Sequence, residues 1–338
     1  MKLKLSLLVC LLLWGSTGST GSTFQAYEIK KNKDDTHTIL GKLKYDPKYP
    51  LYTSDAERYG FDQVDVALDK VFSAQLPVVF FIHGRGNEPN KSIFSGTFVE
   101  GGAVRKLETQ YKTKVLMFNW NSKATLSDRT EPLSQMNAGA ESLRKVLLEV
   151  RDYLNRVENK NKKMVLVAHS MGSIILQTTI QKAYWPMVVD QKPLFSQILI
   201  SSPDADNVKH WEWLNELSTF ENIFVTINKD DDILEKSTDE REEGRDPLGL
   251  KPVLPLSPKV TYLDLSKLGE TEGQASGRHE VFNKEKMDHQ VYLCNVLHDI
   301  ITGESPKLSS AADLTDQSNY FKVKFLISKN DKCFKWTL

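Results

Sequence analysis

The segment Val165-Leu166-Val167-Ala168-His169-Ser170-Met171-Gly172-Ser173 places a hydroxyl where the chain has to turn sharply. The apolar residues ahead of it read as a buried strand, and residues 171–183 carry a helical pattern. A corner that tight holds its apex residue in a strained conformation and lifts the side chain clear of the strand. Side chains two positions to either side would strike neighbouring backbone, so both must be small, and Ala168 and Gly172 are. The helix that begins beside Ser170 points its unpaired N–H groups at the same spot. Such a corner suits a serine nucleophile. A serine hydroxyl is weak by itself, so it needs a base to take its proton and a third group to orient the base. Acids stand after two later apolar runs: Asp204 in Ser202-Pro203-Asp204-Ala205-Asp206, and the triplet Asp230-Asp231-Asp232. Of seven histidines, His37, His83, His169 and His210 precede the last apolar run, while His279, His289 and His298 follow it.

Other chemistries fit less well. His289 and His298 are nine apart, about half a turn out of phase on a helix, so they do not share a metal. There is no His-Glu-x-x-His and no paired-cysteine motif, and Gly84-Arg85-Gly86 lacks the third glycine of a dinucleotide fingerprint. Neither cofactor nor metal is expected. With 44 basic against 44 acidic residues, the chain lacks the positive surface that binds nucleic acid through its phosphates.

The Ala-His-Ser-Met-Gly corner, together with His83-Gly84-Arg85-Gly86 at the end of an earlier apolar run, resembles the α/β-hydrolase superfamily, in its serine esterase and lipase-like form. Phe118-Asn119-Trp120 and the polar loop after it are similar to poorly characterised exported bacterial members. The resemblance spans residues 76–303. It implies that the backbone N–H groups of Arg85 and Met171 form an oxyanion hole, with His83 holding their loop. It also implies the chain order serine, acid, histidine. The family's Asp-x-x-aliphatic pattern selects Asp231, with Leu234; Asp230, Asp232 and Asp204 remain alternatives. His289 stands immediately before an apolar helical run, as the family's base does, and is preferred over His279 in Ser276-Gly277-Arg278-His279. His298 falls within the helix. The implied activity is hydrolysis of an ester, thioester or related acyl bond through an acyl-enzyme, on an acyl ester or lipid-like substrate. Two alternatives stay open: acyl transfer by the same triad, and a secreted binding protein on a catalytically inactive version of the fold.

The elements that must position these residues are legible as apolar runs at 77–82, 115–118, 164–168, 198–200, 223–227 and 260–263. Runs this apolar suit strands buried on both faces of a parallel sheet. Between them, residues 143, 146, 147, 150, 153, 154 and 157 form one apolar helical stripe, and 171–183 and 290–302 read as further helices. The alternation predicts an α/β fold with a mostly parallel sheet and helices on both faces. The gap between 201 and 223 holds one helix, with Trp211, Trp213, Leu214 and Leu217, which leaves no room for a large cap. The site is then open unless residues 235–258 or 184–189 cover it. Residues 24–75 read as edge strands, with a hairpin from the alternation at 27–45. Residues 304–338 read as an extension carrying a hairpin of 321–325 against 333–336.

Residues 1–23 differ from the rest. Lys2 and Lys4 precede an apolar stretch at 5–14, and Gly-Ser-Thr then repeats three times. That is the pattern of a secretory signal, and ten helical residues rise only about 15 Å, half a bilayer core. The expectation is an exported protein, periplasmic or secreted, with no stable membrane span after removal of the signal. Export would take Cys10 with the signal and leave Cys294 and Cys333 to pair in an oxidising compartment.

Overall fold

The computed structural model describes residues 28–31, 37–40, 45–55, 57–86, 102–122, 129–185, 193–217, 222–239, 241–266, 279–281, 291–308, 312–314 and 318–323. The chain divides into two compact units, residues 1–41 and 42–338. The first contains strands β1 (Glu28–Lys31) and β2 (His37–Leu40), paired antiparallel as a two-stranded sheet. The sequence placed this hairpin at the edge of the main sheet; the structure gives it a sheet of its own.

In the second unit the chain runs through β3 (Leu51–Thr53), β4 (Arg58–Tyr59), helix α1 (Val64–Phe72), β5 (Val78–Ile82), α2 (Ala103–Tyr111) and β6 (Lys114–Phe118). It continues through α3 (Thr130–Ser134), α4 (Met136–Leu154), β7 (Met164–His169), α5 (Gly172–Gln181), β8 (Phe195–Ser201) and α6 (His210–Glu216). It ends with β9 (Ile223–Ile227), α7 (Asp232–Thr238), β10 (Val260–Asp264), α8 (Val291–Thr302), β11 (Ala312–Leu314) and β12 (Tyr320–Val323). Among the described residues ten strands form one sheet, in the order β11-β12-β10-β9-β8-β7-β5-β6-β3-β4. Its centre, from β12 to β6, is parallel, and only β3, β4 and β11 are antiparallel to their neighbours.

The residue pattern explains the layers. Every residue of β5 and β7 is buried. Successive side chains of β5 enter opposite cores. Val78, Phe80 and Ile82 pack with Leu68 of α1, Leu143 and Val146 of α4 and Ile175 of α5. Val79 and Phe81 pack with Val104 and Leu107 of α2 and Val296 and Leu297 of α8. The predicted α/β fold, a mostly parallel sheet with helices on both faces, is the observed one.

The strand order positions the site. From β5 the chain crosses to β6 on one side, then returns to lay β7 on the other side of β5. At that reversal the loops leaving β5 and β7 diverge to opposite faces and leave a crevice at the carboxyl ends of the strands, where ligands bind in open α/β sheets. The loops involved are those carrying Gly84 and Ser170.

At the C-terminal end the alternation at 321–325 does make a strand, β12. Its antiparallel partner is β11, however, and β12 also joins β10 in parallel, so the extension is part of the sheet. Residues 333–336, the expected partner, lie outside the described residues. No helix among the described residues is long and apolar enough to cross a membrane.

Candidate active site

Ser170 follows β7 directly and takes a left-handed conformation, φ 53°. A non-glycine residue held there costs about 1–3 kcal/mol and persists only where its surroundings over-determine it. They do. Its N–H donates to Ser201 O at 3.0 Å, and its carbonyl accepts from Ser173 N at 3.0 Å, Ser173 Oγ at 2.6 Å and Asp204 N at 3.2 Å. The corner also presses α5 against β5. A Cβ at Gly172 would lie 2.5 Å from Ile82 O and 2.8 Å from His83 O, both backbone atoms. This is the physical content of the small-residue requirement in the motif. Ser170 is recessed, with 7 % of its surface exposed.

The loop after β5 meets the same serine. A Cβ on Gly84 would stand 2.8 Å from Ser170 Cβ, so only glycine permits the approach. His83 fixes this loop from beneath. Its Nδ1 donates to Gly84 O at 2.9 Å, its Nε2 accepts from Trp120 N–H at 3.3 Å, and its carbonyl accepts from Trp120 Nε1 at 2.8 Å. The indole also stacks on the imidazole, with ring centroids 5.6 Å apart. Burial pushes the His83 pKa down to about 4, so the ring is neutral and one proton serves the Gly84 contact. In a trans peptide the C=O and the following N–H point in opposite directions. With Gly84 O turned to His83, the N–H of Arg85 faces the other way.

The acidic triplet resolves into separate jobs. Asp231 is fully buried and caps α7, its Oδ1 accepting from Ile233 N and Leu234 N at 3.1 Å each. The same carboxylate receives His279 Nδ1, 2.8 Å from Oδ2 and 3.1 Å from Oδ1. Asp230 and Asp232 are half-buried on either side. Burial alone would push the His279 pKa down. The Asp231 carboxylate, with Glu280 and Asp204 further off, more than offsets that and holds it above the usual 6.5. With Nδ1 donating to Asp231, Nε2 is the nitrogen left to take a proton. The His279 ring also lies beside His169, the residue before Ser170, with centroids 4.9 Å apart.

The sequence preferred His289 as the partner of Asp231; the structure gives that carboxylate to His279. His289 lies outside the described residues. His298 is on α8, near Tyr111 and Asp299, and His210 is held between Asn207 O and the Tyr262 hydroxyl. Asp204, the other alternative acid, is engaged elsewhere. Its carboxylate accepts from Arg129 at 3.1 Å, Arg241 at 2.8 Å and Ser237 Oγ at 2.5 Å. Asp206 pairs with Arg241 and Arg245. This ion-pair network borders a cavity of about 220 Å³ that reaches Ile174 and Gln177 of α5. No sequence pattern announced it, because its members come from three separate segments. Residues 246–251, within one of the two stretches that alone could have closed an otherwise open site, run along 203–207 through Leu248 N to Ala205 O, Gly249 N to Pro203 O and Asn207 N to Asp246 O. Trp185, in the other, is part of the core. Among the described residues no cluster of His, Cys, Asp and Glu could hold a metal.

Residues 62–242 match the model of a family described as "alpha/beta hydrolase of unknown function". The chain belongs to that family. The matched stretch contains Gly84, Ser170 and Asp231 and ends before His279. Solved structures that show some likeness to the chain include three esterases, all distant. A Pyrobaculum calidifontis esterase shares 10 % identity over 62 % of this chain and 76 % of its own, with a TM-score of 0.31. Lactobacillus rhamnosis esterase B shares 15 % identity over 49 % and 61 %, with a TM-score of 0.28. Carboxyl esterase 2 of Tuber melanosporum shares 11 % over 80 % and 88 %, with a TM-score of 0.29. The sequence matches no curated protein.

Proposed function

We propose that this member of the alpha/beta hydrolase family is an exported serine hydrolase that cleaves an ester, thioester or related acyl bond, with Ser170 as nucleophile, His279 as base and Asp231 as its orienter. The observation that carries the reading is the meeting of three loops: a left-handed serine at the end of β7, Gly84 against its Cβ, and His279 tied to Asp231 on the ring of its neighbour. His279 replaces His289 in this role because it already shares a hydrogen bond with the acid.

In the first step Ser170 Oγ attacks the acyl carbon while His279 Nε2 takes its proton. Asp231 holds the tautomer and steadies the imidazolium. The tetrahedral oxyanion lies against the N–H groups of Arg85 and Met171. The orientation of the Gly84–Arg85 peptide supports the first donor. The start of α5 supports the second, since the first amides of a helix have no partner within it. The C–O or C–S bond then breaks and His279 passes its proton to the leaving group. Water attacks the acyl-enzyme with His279 again as base, and Ser170 regains its proton as the acid departs. Export is supported by Cys294, which is disulfide-bonded.

The test is turnover of short-chain aryl esters, with labelling by a fluorophosphonate probe. Ser170→Ala abolishes both, and His279→Ala slows both by at least about 10³-fold, whereas His289→Ala leaves them near wild type. Wild-type turnover by Ser170→Ala overturns the reading. Failure of the wild type to label favours an inactive binding protein, and ester products in the presence of added alcohols favour acyl transfer.

A further inference from the structure

His279 is 48 residues from Asp231 and 77 from Ser202 in the chain, so the contacts made by residues 279–281 decide where the base stands relative to Ser170. Asp231 orients the ring, but a hydrogen bond at Nδ1 leaves the ring free to shift with its backbone. The rest of the segment is fastened separately. Val281 is buried in the core formed with α2 and α8, and Glu280 lies 3.6 Å from Lys106 of α2. The carbonyl of His279 has two donors. Ser202 Oγ reaches it at 2.8 Å and His169 Nε2 at 3.3 Å.

Both donors sit at the ends of adjacent strands in the middle of the sheet. His169 is the last residue of β7 and is bonded directly to Ser170. Ser202 follows β8 in a left-handed conformation, φ 45°, with its own N–H donating to Thr226 Oγ1 of β9 at 2.8 Å. Ser170 in turn donates its N–H to Ser201 O. Nucleophile and both donors therefore share one hydrogen-bonded corner at the ends of β7 and β8. A carbonyl oxygen only accepts, so His169 Nε2 carries a proton. Burial, and the neighbouring His279, push the His169 pKa well down, so this ring stays neutral when His279 becomes charged.

We propose that His169 and Ser202 are positioning residues that clamp the His279 carbonyl and thereby set the distance from the base to Ser170. The clamp rests on the reading of His279 as base. It ties the base to the residue before the nucleophile, so any shift of the β7–α5 corner carries the base with it. A near-attack geometry is demanding, and a displacement of about 1 Å costs about 10²-fold in rate.

The experiment compares the wild type with Ser202→Ala, His169→Phe, His169→Gln and the double variant His169→Phe/Ser202→Ala. It measures kcat and KM on an aryl ester, the rate of fluorophosphonate labelling at Ser170, and thermal unfolding. Phe keeps the ring's bulk without its donor, whereas the Gln amide can place an N–H near the position of Nε2. The double variant is expected to lose about 10²-fold in kcat and in labelling rate with KM little changed. Ser202→Ala loses about tenfold, and His169→Gln recovers most of what His169→Phe loses. Wild-type labelling by a folded double variant overturns the clamp, as does His169→Gln performing no better than His169→Phe. Should the double variant not fold, wild-type kcat in Ser202→Ala overturns it. Rapid labelling of His279→Ala removes the base assignment and the clamp with it. Slow labelling of that variant alongside rapid labelling of the clamp variants removes the clamp alone.

Discussion

At the scale of single residues the site turns on one charge. Asp231 stabilises the protonated form of His279, so the imidazolium persists to higher pH than an unperturbed ring would allow. In the proposed mechanism only the neutral ring accepts the Ser170 proton. Activity therefore falls as pH drops through the His279 pKa, and the midpoint of this acid limb lies above 6.5. Asp231→Asn keeps an oxygen for the α7 amides but removes the charge that raises the pKa. The expected result is an acid limb displaced to lower pH, with kcat down by about 10³–10⁴-fold because the amide no longer enforces the tautomer. A pH–rate profile of both proteins checks this. An unmoved limb would mean that His279 is not the group titrating. Asp204 shows why an acid at a plausible strand end need not serve: two buried guanidiniums and a serine already occupy its oxygens. Three adjacent aspartates could not be separated from sequence for the same reason. What distinguishes Asp231 is the direction of its side chain at the start of α7, and direction is set by the fold.

At the scale of elements the strands were readable because they are buried on both faces, which leaves continuous apolar runs with little ambiguity. Helix α4 was readable because its buried residues recur on one stripe. The serine corner was readable because its geometric requirement is local: small residues two positions either side of a serine between strand and helix. That requirement has a measurable consequence. Gly172→Ala would place a methyl carbon within 3 Å of two backbone carbonyl oxygens of the β5 end, which side-chain rotation cannot relieve. The expected loss is about 1–3 kcal/mol of stability, seen as a lower Tm, with slower probe labelling because α5 can yield only by tilting away from β5. An unchanged Tm would show that the corner is looser than its contacts imply. The histidine that meets Asp231 was not readable in this way. The sequence favoured His289 because a helix begins just after it, a local signal. His279 is selected by Asp231 and Ser202, 48 and 77 residues away. The C-terminal strand follows the same rule: alternation revealed β12, but its partners β10 and β11 are tertiary choices.

At the scale of the whole molecule, the far edge of the sheet is built from the end of the chain. Among the described residues β12 and β11 lie beyond β10, and α8, which covers β5 and β7 on one face, leads into them. Cys294 lies in α8 and is buried and disulfide-bonded. The other cysteines of the sequence are Cys10 and Cys333, both outside the described residues. Export with removal of residues 1–23 would leave Cys333 as the partner, closing a loop around the edge strands. A loop of about 40 residues stabilises by about 4 kcal/mol in the chain-entropy account. Peptide mapping of the exported protein without reductant is therefore expected to yield a Cys294–Cys333 crosslink. Cys333→Ser, or mild reduction of the wild type, is expected to remove that stabilisation and lower Tm, while Ser170 labelling stays intact below the new Tm, since neither cysteine belongs to the proposed catalytic set. A crosslink to Cys10 in the mature protein would contradict removal of the signal. Free thiols at Cys294 would contradict an oxidising destination, and the export half of the functional reading would fall while the chemistry at Ser170 stood.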